Sequence, residues 1–295
     1  MAKKISPPPH FLLIKKGKLS LLVRENYKRW VLDYWENNIK KLLPSQKRPH
    51  HYLAGRKLYP IITFPEGQRV VIRQYSHGGL LRFFTRDLFL SGARSFDELI
   101  LTEEIRLSEI PTVTPVAAVH QVLIPPFYRP YLLTLEIPGA LNLVQYVEEG
   151  ESKPIGEALL HKRKTIRSAG LLLKRFHQAG FYHGDLQLKN FLVLNDQVFL
   201  IDFDRSYRKP SLTSKERTKN LLRLNRSVDK WKEFGLPLSQ TDRLRFLYAY
   251  AGEEATLLEE MRKALRFYSV FLFFHRLLWK IQKVLKKLRR GSLIS

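Results

Sequence analysis

The residues whose types and spacing indicate chemistry lie in one short segment, between residues 182 and 204. His183, Asp185 and Asn190 form the pattern H-x-D-x-x-x-x-N, and Asp202 follows after an apolar hairpin. A carboxylate held on a loop can orient an acceptor hydroxyl and take its proton. Carboxylate and amide oxygens at the two ends of a hairpin can bind Mg²⁺, which prefers oxygen ligands. The segment therefore predicts phosphoryl transfer, with Asp185 as the base and with Asn190 and Asp202 as the metal ligands.

The same spacing is typical of the catalytic loop and the metal motif in the protein-kinase-like fold. We expect His183 to brace this loop, and Lys189 is a further catalytic candidate within it. The alternative is structural, because Gly-Asp and Asn-Asp pairs form turns and His183 can be a packed ring. Three polar positions at this spacing, followed by a hairpin that ends in Asp-Phe, favour the catalytic interpretation.

A kinase also needs a cation on an early strand, paired with a helix glutamate, to hold the nucleotide phosphates. The apolar segment 70–75 offers Arg73, whose guanidinium can bind phosphate in a bidentate manner. Glu98 is the candidate glutamate on the following predicted helix. The alternatives are a solvated strand residue for Arg73 and, for Glu98, the acid of a capping box that begins at Ser95.

The other nucleotide contacts are less complete in the sequence. No G-x-G-x-x-G segment precedes Arg73, and Gly55 alone stands where a phosphate-covering loop is expected. Glu136 and Ile137 lie directly before Pro138-Gly139, where we expect a hinge between two lobes. Gly55, Glu136 and Ile137 complete the predicted binding site for ATP.

Hydrophobic periodicity divides the chain into a strand-rich first half and a helix-rich second half. The first half has predicted strands at 58–64, 69–75, 116–122 and 131–137, and one helix over 96–108. The second half has predicted helices over 142–148 and 155–178, and several short helices between 214 and 265. This order predicts an α+β, bilobal protein-kinase-like fold, with a β-rich N-lobe that has one main helix and a helical C-lobe.

Four units follow from this pattern and from the distribution of charge. A basic N-terminal extension with a helical segment is predicted for residues 1–51, and the nucleotide-binding N-lobe for 52–137. The C-lobe, with the catalytic and acceptor-binding residues, is predicted for 138–260, and a cationic amphipathic C-terminal helix for 261–295.

The net charge of +24 predicts a polyanionic partner. Residues 1–50 hold twelve Lys and Arg against three acids, and residues 261–295 hold ten without an acid. In the C-terminal tail, apolar residues recur at three- and four-residue steps, but the charge-free run is far too short to cross a bilayer. We expect this tail to lie on an anionic membrane surface. The alternative is that its aromatic face packs on the body of the protein.

The composition and the N-terminus exclude several classes of protein. The chain has no cysteine, which excludes a disulfide scaffold, a thiolate zinc site and cysteine catalysis. A nucleic-acid partner is not expected, since no recognised nucleic-acid motif accompanies the charge. Lysines interrupt the short apolar stretch at 11–14, so no signal peptide is predicted and the expected location is cytoplasmic.

Further motifs surround the catalytic segment. They are Arg73-Gln74-Tyr75, His77-Gly78-Gly79-Leu80, Arg94-Ser95-Phe96-Asp97-Glu98, Pro115-Val116-Ala117, Ile137-Pro138-Gly139-Ala140 and Asn220-Leu221-Leu222-Arg223-Leu224. Together with His183-Gly184-Asp185 and Ile201-Asp202-Phe203-Asp204, they resemble the lipopolysaccharide kinases, and in particular the 3-deoxy-D-manno-octulosonic acid (Kdo) kinases. The resemblance covers residues 52–250. It implies ATP-dependent phosphorylation of a Kdo hydroxyl on a lipid A precursor, an anionic glycolipid, at the cytoplasmic face of a Gram-negative inner membrane.

The segment after the metal motif bears on the acceptor. Only residues 203–213 separate Asp202 from the next predicted helix, and no Ala-Pro-Glu follows. This is too short for the activation segment of a protein kinase, so a peptide acceptor is not expected. Arg205, Arg208 and Lys209 are instead candidates for binding an anionic sugar. The motifs leave open a heptose kinase of the lipopolysaccharide core, an aminoglycoside- or choline-type phosphotransferase, and a pseudokinase that binds anionic glycolipid.

Overall fold

The computed structural model describes residues 5–38, 52–53, 59–64, 66–76, 87–90, 93–150, 155–252, 254, 256–260 and 263–264. Three sequence features lie outside the described residues: Gly55, the motif at 77–80, and the amphipathic pattern of the C-terminal tail. In the part of the chain that is described, none of the helices is both long and apolar enough to cross a bilayer.

The N-terminal part is built on an antiparallel sheet of seven strands. They are β1 (Phe11–Lys16), β2 (Leu19–Arg24), β3 (Tyr52–Leu53), β4 (Tyr59–Thr63), β5 (Arg69–Gln74), β6 (Pro115–Ile124) and β7 (Phe127–Leu135), in the spatial order β1-β2-β6-β7-β5-β4-β3. Side chains alternate across each strand. In β5, Val70 and Ile72 are therefore buried in the sheet core, whereas Val71 and Arg73 face the cleft below it.

Two helices cover the two faces of this sheet. Helix α1 (Lys28–Asn38) packs Val31 and Trp35 on one face, with the Trp35 ring edge-on to Tyr131 at 5.2 Å between centroids. Helix α2 (Arg94–Leu107) packs Phe96 and Leu99 on the other face. The sheet thus fixes α2 above the cleft.

The C-terminal part is helical around two small sheets. Its helices are α3 (Leu143–Gly150), α4 (Ile155–Gln178), α5 (Ser214–Glu233) and α6 (Gln240–Ala251). Strands β8 (Leu141–Asn142), β10 (Phe191–Leu194) and β11 (Gln197–Leu200) form one sheet, and β9 (Phe181–Tyr182) pairs with β12 (Tyr207–Arg208) in the other. Phe176 of α4 stacks on Phe181 and Phe203 in the core of this part, which fixes the chain on both sides of the β10–β11 hairpin.

The predicted α+β organisation in two parts is confirmed. Helix α4 has the predicted bounds, and β4, β5, β6, α2 and α3 agree with the predicted ranges to within two residues. Strand β7 begins four residues before the predicted start, at Phe127 instead of 131. Pro130 lies in this added segment, and a proline argues against a strand in sequence patterns.

Two features of the N-terminal part differ from the sequence prediction. Strands β1 and β2, which the pattern does not predict, extend the sheet beyond β6, so residue 52 does not coincide with an edge of this sheet. Lysines obscure β1 because it is an edge strand with exposed basic residues. The capping box at Ser95 is wrong, since α2 begins at Arg94 and the Ser95 hydroxyl bonds to Nε2 of the buried His120, 2.8 Å away.

Candidate active site

One cleft between the sheet and the helical part collects most of the predicted site residues. Its volume is about 340 Å³, and its lining includes Arg73, Glu98, Asp185, Asn190 and Asp202. The predicted residues Glu136, Ile137 and Lys189 line it as well. A larger cavity of about 710 Å³, beside the β10–β11 turn, is lined by none of the predicted site residues. The chemistry therefore belongs to the smaller cleft.

The inner part of this cleft is an apolar slot. Val71 of β5 and Leu132 of β7 contribute from the sheet, while Leu192 of β10 and Ile201 contribute from the helical part. Apolar side chains on two sides of a narrow cleft suit a flat aromatic ring. The polar residues lie along the same cleft, so a nucleotide base and its phosphates find different surroundings within it.

The buried His183 ties the catalytic loop to the metal motif. Its Nδ1 accepts a hydrogen bond from the backbone N–H of Asp185, and its Nε2 donates to the carbonyl of Ile201, each at 3.1 Å. Because one ring nitrogen accepts and the other donates, the ring is neutral with its proton on Nε2. Burial lowers the pKa of His183, in agreement with a neutral ring. The ring thereby holds Asp185 and the residue before Asp202 in one frame.

Gly184 has no room for a side chain. A Cβ atom at this position would lie 2.5 Å from the carbonyl oxygen of Asp204. Its N–H donates to the hydroxyl of Ser206 at 2.9 Å. The catalytic loop and the metal motif are thus packed backbone against backbone, which explains the glycine between His183 and Asp185.

The two oxygens of the Asp185 carboxylate have different surroundings. Oδ1 accepts hydrogen bonds from Nε of Arg223 at 2.8 Å, from Nη2 of the same arginine, and from the Gln187 amide at 2.6 Å. Among the described residues, no hydrogen bond reaches Oδ2. Asp185 therefore has one oxygen held in place and one oxygen available to a substrate hydroxyl in the cleft.

Asn190 and Asp202 present oxygen atoms to the same cleft. The Asn190 side-chain nitrogen donates to the carbonyl of Asp185 at 2.7 Å, which leaves its oxygen as the free atom. Asp202 has a φ of 66°, in the left-handed region that non-glycine residues rarely adopt and that often marks a functional site. Burial would raise the pKa of Asp202, but the charge of Arg73 outweighs it and the pKa is lowered. An amide oxygen and an ionised carboxylate are the ligands that Mg²⁺ prefers.

Arg73 is the central cation of the site. Its guanidinium contacts the carboxylates of Asp202 and Glu98, and it donates to the Tyr75 hydroxyl at 2.9 Å. The side chain is only 17% exposed, so the alternative of a solvated strand residue is wrong. Burial raises the pKa of Glu98 to about 7, although the charge of Arg73 acts in the opposite direction. The pairing of Arg73 with Glu98 is the one that the sequence predicts.

A second ion pair connects α2 to the metal motif. Nε of Arg94 donates to Oδ1 of Asp204 at 2.6 Å, and Nη2 of Arg94 contacts Oδ2. Arg94 is the first residue of α2, and the bidentate pair anchors this end of the helix to the segment that follows Asp202. Asp204 therefore serves the position of α2.

The remaining cleft residues have partners of their own. The Lys189 ammonium lies 4.6 Å from the centroid of the Trp231 ring, and the Glu136 carboxylate lies 2.6 Å from Nε of Arg69. The carbonyl of Ile137 accepts a hydrogen bond from Ala140 at 3.1 Å, which closes the turn at the hinge.

The three cations predicted to bind a sugar are not among the described residues that line the cleft. Arg205 follows the Asp202 motif and packs its backbone on Gly184. Arg208 donates to the carbonyl of Ala179 at 3.3 Å, and Lys209 pairs with Glu216 at 2.5 Å.

Helix α5 supplies three contacts to the catalytic loop that sequence reasoning missed. The buried Asn220 amide bonds to the backbone of His183 through both its oxygen and its nitrogen, at 3.1 and 2.7 Å. Arg223 holds Asp185, and the Ser227 hydroxyl accepts from the N–H of Leu188 at 3.1 Å. These residues lie three and four positions apart, on one side of the helix. Polar residues at this spacing beside buried leucines are the signal that would have identified them.

Comparison with known proteins places this geometry. Residues 53–250 match the model of the lipopolysaccharide kinase (Kdo/WaaP) family. The chain is similar to the 3-deoxy-D-manno-octulosonic acid kinase of Pasteurella multocida (strain Pm70), with 31% identity over 207 residues that cover 67% of this chain and 79% of the relative. The kinase of the same name from Vibrio cholerae serotype O1 is 30% identical over 206 residues, covering 67% and 77%.

A solved structure supports the fold. The structure of WaaP in complex with acyl carrier protein aligns with a TM-score of 0.51 and 20% sequence identity, over 84% of this chain and 99% of that chain. At this identity the alignment concerns the fold alone, and it agrees with the two-part organisation described above.

Proposed function

The chain belongs to the lipopolysaccharide kinase (Kdo/WaaP) family, and we propose that it transfers the γ-phosphoryl group of ATP to a hydroxyl of Kdo on a lipid A precursor. The observation that carries this proposal is the arrangement of Asp185, Asn190, Asp202 and the Arg73–Glu98 pair around one cleft. Each has the residue type and the partner that phosphoryl transfer requires.

The roles of these residues follow from their surroundings. Asp185 orients the acceptor hydroxyl through Oδ2 and takes its proton as the hydroxyl attacks phosphorus. Arg73 binds nucleotide phosphates, and Glu98 holds Arg73 in position. The free oxygens of Asn190 and Asp202 suit Mg²⁺, which supplies charge neutralisation on the phosphates when it is bound. The apolar slot below β5 and β7 receives the base.

The proposed acceptor is anionic, which agrees with the charge of the chain. A lipid A precursor that carries Kdo has carboxylate and phosphate groups, and the chain has a net charge of +24. We infer peripheral binding to an anionic membrane through the basic C-terminal tail, which lies outside the described residues. Both inferences place the enzyme where its acceptor is found.

The test of the function uses purified protein, ATP, Mg²⁺ and a Kdo-bearing lipid A precursor, followed by mass spectrometry of the lipid. The expected result is the gain of one phosphoryl group on the Kdo-bearing species, lost in the Asp185→Asn variant. A heptose-bearing core oligosaccharide and an aminoglycoside serve as comparison acceptors. Phosphorylation of either of these in place of the Kdo-bearing lipid, or of no acceptor, would contradict the proposal.

The membrane inference has a separate test. Truncation after residue 279 removes six basic residues, each of which contributes about 1 kcal/mol near an anionic surface. Sedimentation with anionic vesicles is expected to weaken sharply, and binding of the intact protein is expected to fall as salt rises. Activity on a detergent-solubilised, short-chain acceptor is expected to be nearly unchanged. Vesicle binding that survives the truncation, or a truncated protein that does not fold, would show that the tail has another role.

A further inference from the structure

One side of α5 carries a row of cations that leads to Asp185. Lys219, Arg223, Arg226 and Lys230 recur at steps of four, three and four residues, which places them on one side of the helix. Lys219, Arg226 and Lys230 are exposed, and no ion pair with a described acid engages them. Arg223 alone in this row contacts the catalytic carboxylate.

The guanidinium of Arg223 has donors left over. An arginine side chain offers five N–H groups. Nε and Nη2 are directed at Oδ1 of Asp185, and no hydrogen bond joins Nη1 to a described residue. The side chain is 40% exposed, so the Nη1 edge is accessible to a molecule that enters the cleft.

We propose that Arg223 recognises an oxyanion of the acceptor and places it next to Asp185. This inference rests on the proposed function and adds the residue that selects an acidic sugar. A carboxylate or phosphate group accepts hydrogen bonds from a guanidinium with a geometry that a hydroxyl or an ester does not reproduce. Because the same guanidinium holds Asp185, an anion bound to its Nη1 edge is fixed relative to the oxygen that takes the proton.

The acceptor offers two sources of such an oxyanion: the carboxylate of Kdo and the phosphates of lipid A. Lys219, Arg226 and Lys230 continue the positive surface away from the cleft and suit the more distant anionic groups. Arg208 and Lys209, which the sequence suggested for this purpose, are directed at Ala179 and Glu216. Arg223 is therefore the cation that the structure assigns to the reacting sugar.

The experiment compares matched acceptors in the wild type and in Arg223→Gln. The acceptors are the Kdo-bearing lipid, its carboxyl methyl ester and a form without lipid phosphates. For each protein, kcat/KM on the acid is divided by kcat/KM on the methyl ester, so that any loss of activity common to both acceptors cancels. Lys232→Gln is the control, since it removes an exposed charge from another side of α5.

We expect the wild type and Lys232→Gln to prefer the acid by roughly tenfold or more, and Arg223→Gln to lose that preference. Arg223→Lys is expected to keep part of it, because the charge remains while the planar fork is lost. If Arg223→Gln instead loses its preference for phosphorylated lipid over dephosphorylated lipid, the recognised oxyanion is a phosphate. Preferences equal to those of the wild type for both pairs would overturn the inference.

A binding measurement separates this inference from the proposed function. Calorimetry of a Kdo glycoside with the wild type and with Arg223→Gln needs no turnover. If the wild type phosphorylates no acceptor, the function fails, and the binding difference alone decides the inference. Equal affinities of the two proteins would then reject it, and a tenfold weaker affinity of Arg223→Gln would support it.

Discussion

At Asp185, one carboxylate oxygen is held by the protein and the other is left for the reaction. Arg223 and Gln187 both donate to Oδ1, so the carboxylate cannot rotate without losing charge-assisted hydrogen bonds. His183 fixes the backbone of the same residue. The site therefore orients the reacting oxygen before a substrate arrives, and orientation of this kind lowers the barrier to reaction.

The first prediction concerns the base. Asp185→Asn keeps the volume of the side chain but removes its ability to take a proton. We expect kcat to fall at least roughly a hundredfold, the scale of general-base contributions, while thermal unfolding changes little. Asp229→Asn is the control, because Asp229 pairs with Arg243 away from the cleft. Near-full kcat in the purified Asp185→Asn protein would remove Asp185 from the mechanism.

The second prediction concerns the metal ligands. Asp202→Ala is expected to weaken binding of Mg²⁺-ATP more than Asn190→Ala, since it removes a formal charge from the ligand set. Calorimetric titration measures both effects without turnover. The control is Asp196→Ala, which removes a carboxylate that pairs with Lys164 in the β10–β11 turn. If the double variant of Asn190 and Asp202 binds Mg²⁺-ATP as tightly as the wild type, both assignments are wrong.

At the scale of elements, α2 joins the two parts of the molecule through its first two turns. Arg94 pairs with Asp204 after the metal motif, and Glu98 pairs with Arg73 on β5. Arg73 in turn contacts Asp202. The sheet, the helix and the metal motif thus share one set of charges, so a shift of α2 would displace the cation and the metal ligand together.

The third prediction tests this set of charges at the nucleotide. Arg73→Ala is expected mainly to raise the KM for ATP, and Arg73→Lys is expected to recover only part of the loss, because lysine lacks the planar fork. Arg129→Ala is the control, since Arg129 is a similarly buried strand arginine that pairs with Asp87. An unchanged KM for ATP in a folded Arg73→Ala protein would place the phosphate clamp elsewhere, with Arg56 and Lys57 as the next candidates.

At the scale of the whole molecule, the sequence predicts what a single segment determines and misses what depends on the approach of distant segments. His183, Asp185, Asn190 and Asp202 are close in the chain, so their spacing alone indicates a loop and a hairpin. Arg223 reaches Asp185 from 38 residues away, and this contact depends on how α5 packs.

The error at Ser95 has the same origin. The local pattern indicates a helix cap, but burial of His120 gives the Ser95 hydroxyl a stronger claim on a partner from β6. A buried polar group without a hydrogen bond is costly, so tertiary contacts override the local preference. Strands β1 and β2 were missed for a related reason, because only β6 gives them a sheet to join.

A buried polar network behind the catalytic loop spans the helical part of the molecule. Nδ1 of His177 bonds to the Tyr250 hydroxyl at 2.6 Å, and Nε2 bonds to the Asn220 oxygen at 3.0 Å. Arg217 donates to the same tyrosine and pairs with Glu254. His177 therefore connects α4, α5 and α6. Burial lowers the pKa of His177 to about 3.

The fourth prediction follows from this pKa and concerns the stability of the fold. Above pH 6.5 His177 is neutral in both states, whereas between pH 6.5 and about 3 the unfolded chain binds a proton that the folded protein does not. Stability is therefore lost as pH falls through this window, by about 1.4 kcal/mol per pH unit for one such group. His120, with a pKa lowered by burial to about 4, acts in the same direction. Glu98, with a pKa raised by burial to about 7, acts in the opposite direction between pH 4.5 and 7.

Denaturant unfolding of the wild type and His177→Gln between pH 6 and 4.5 isolates the contribution of His177, since all other groups are shared. The variant is expected to be less stable at pH 7, because glutamine does not reproduce both ring hydrogen bonds, but to lose stability less steeply as pH falls. The difference in slope is expected to be about 1.4 kcal/mol per pH unit. His120→Gln is expected to show a difference of the same sign. Parallel slopes for the wild type and both variants would mean that these rings take up protons in the folded protein, and the network behind the catalytic loop would then not require a neutral histidine.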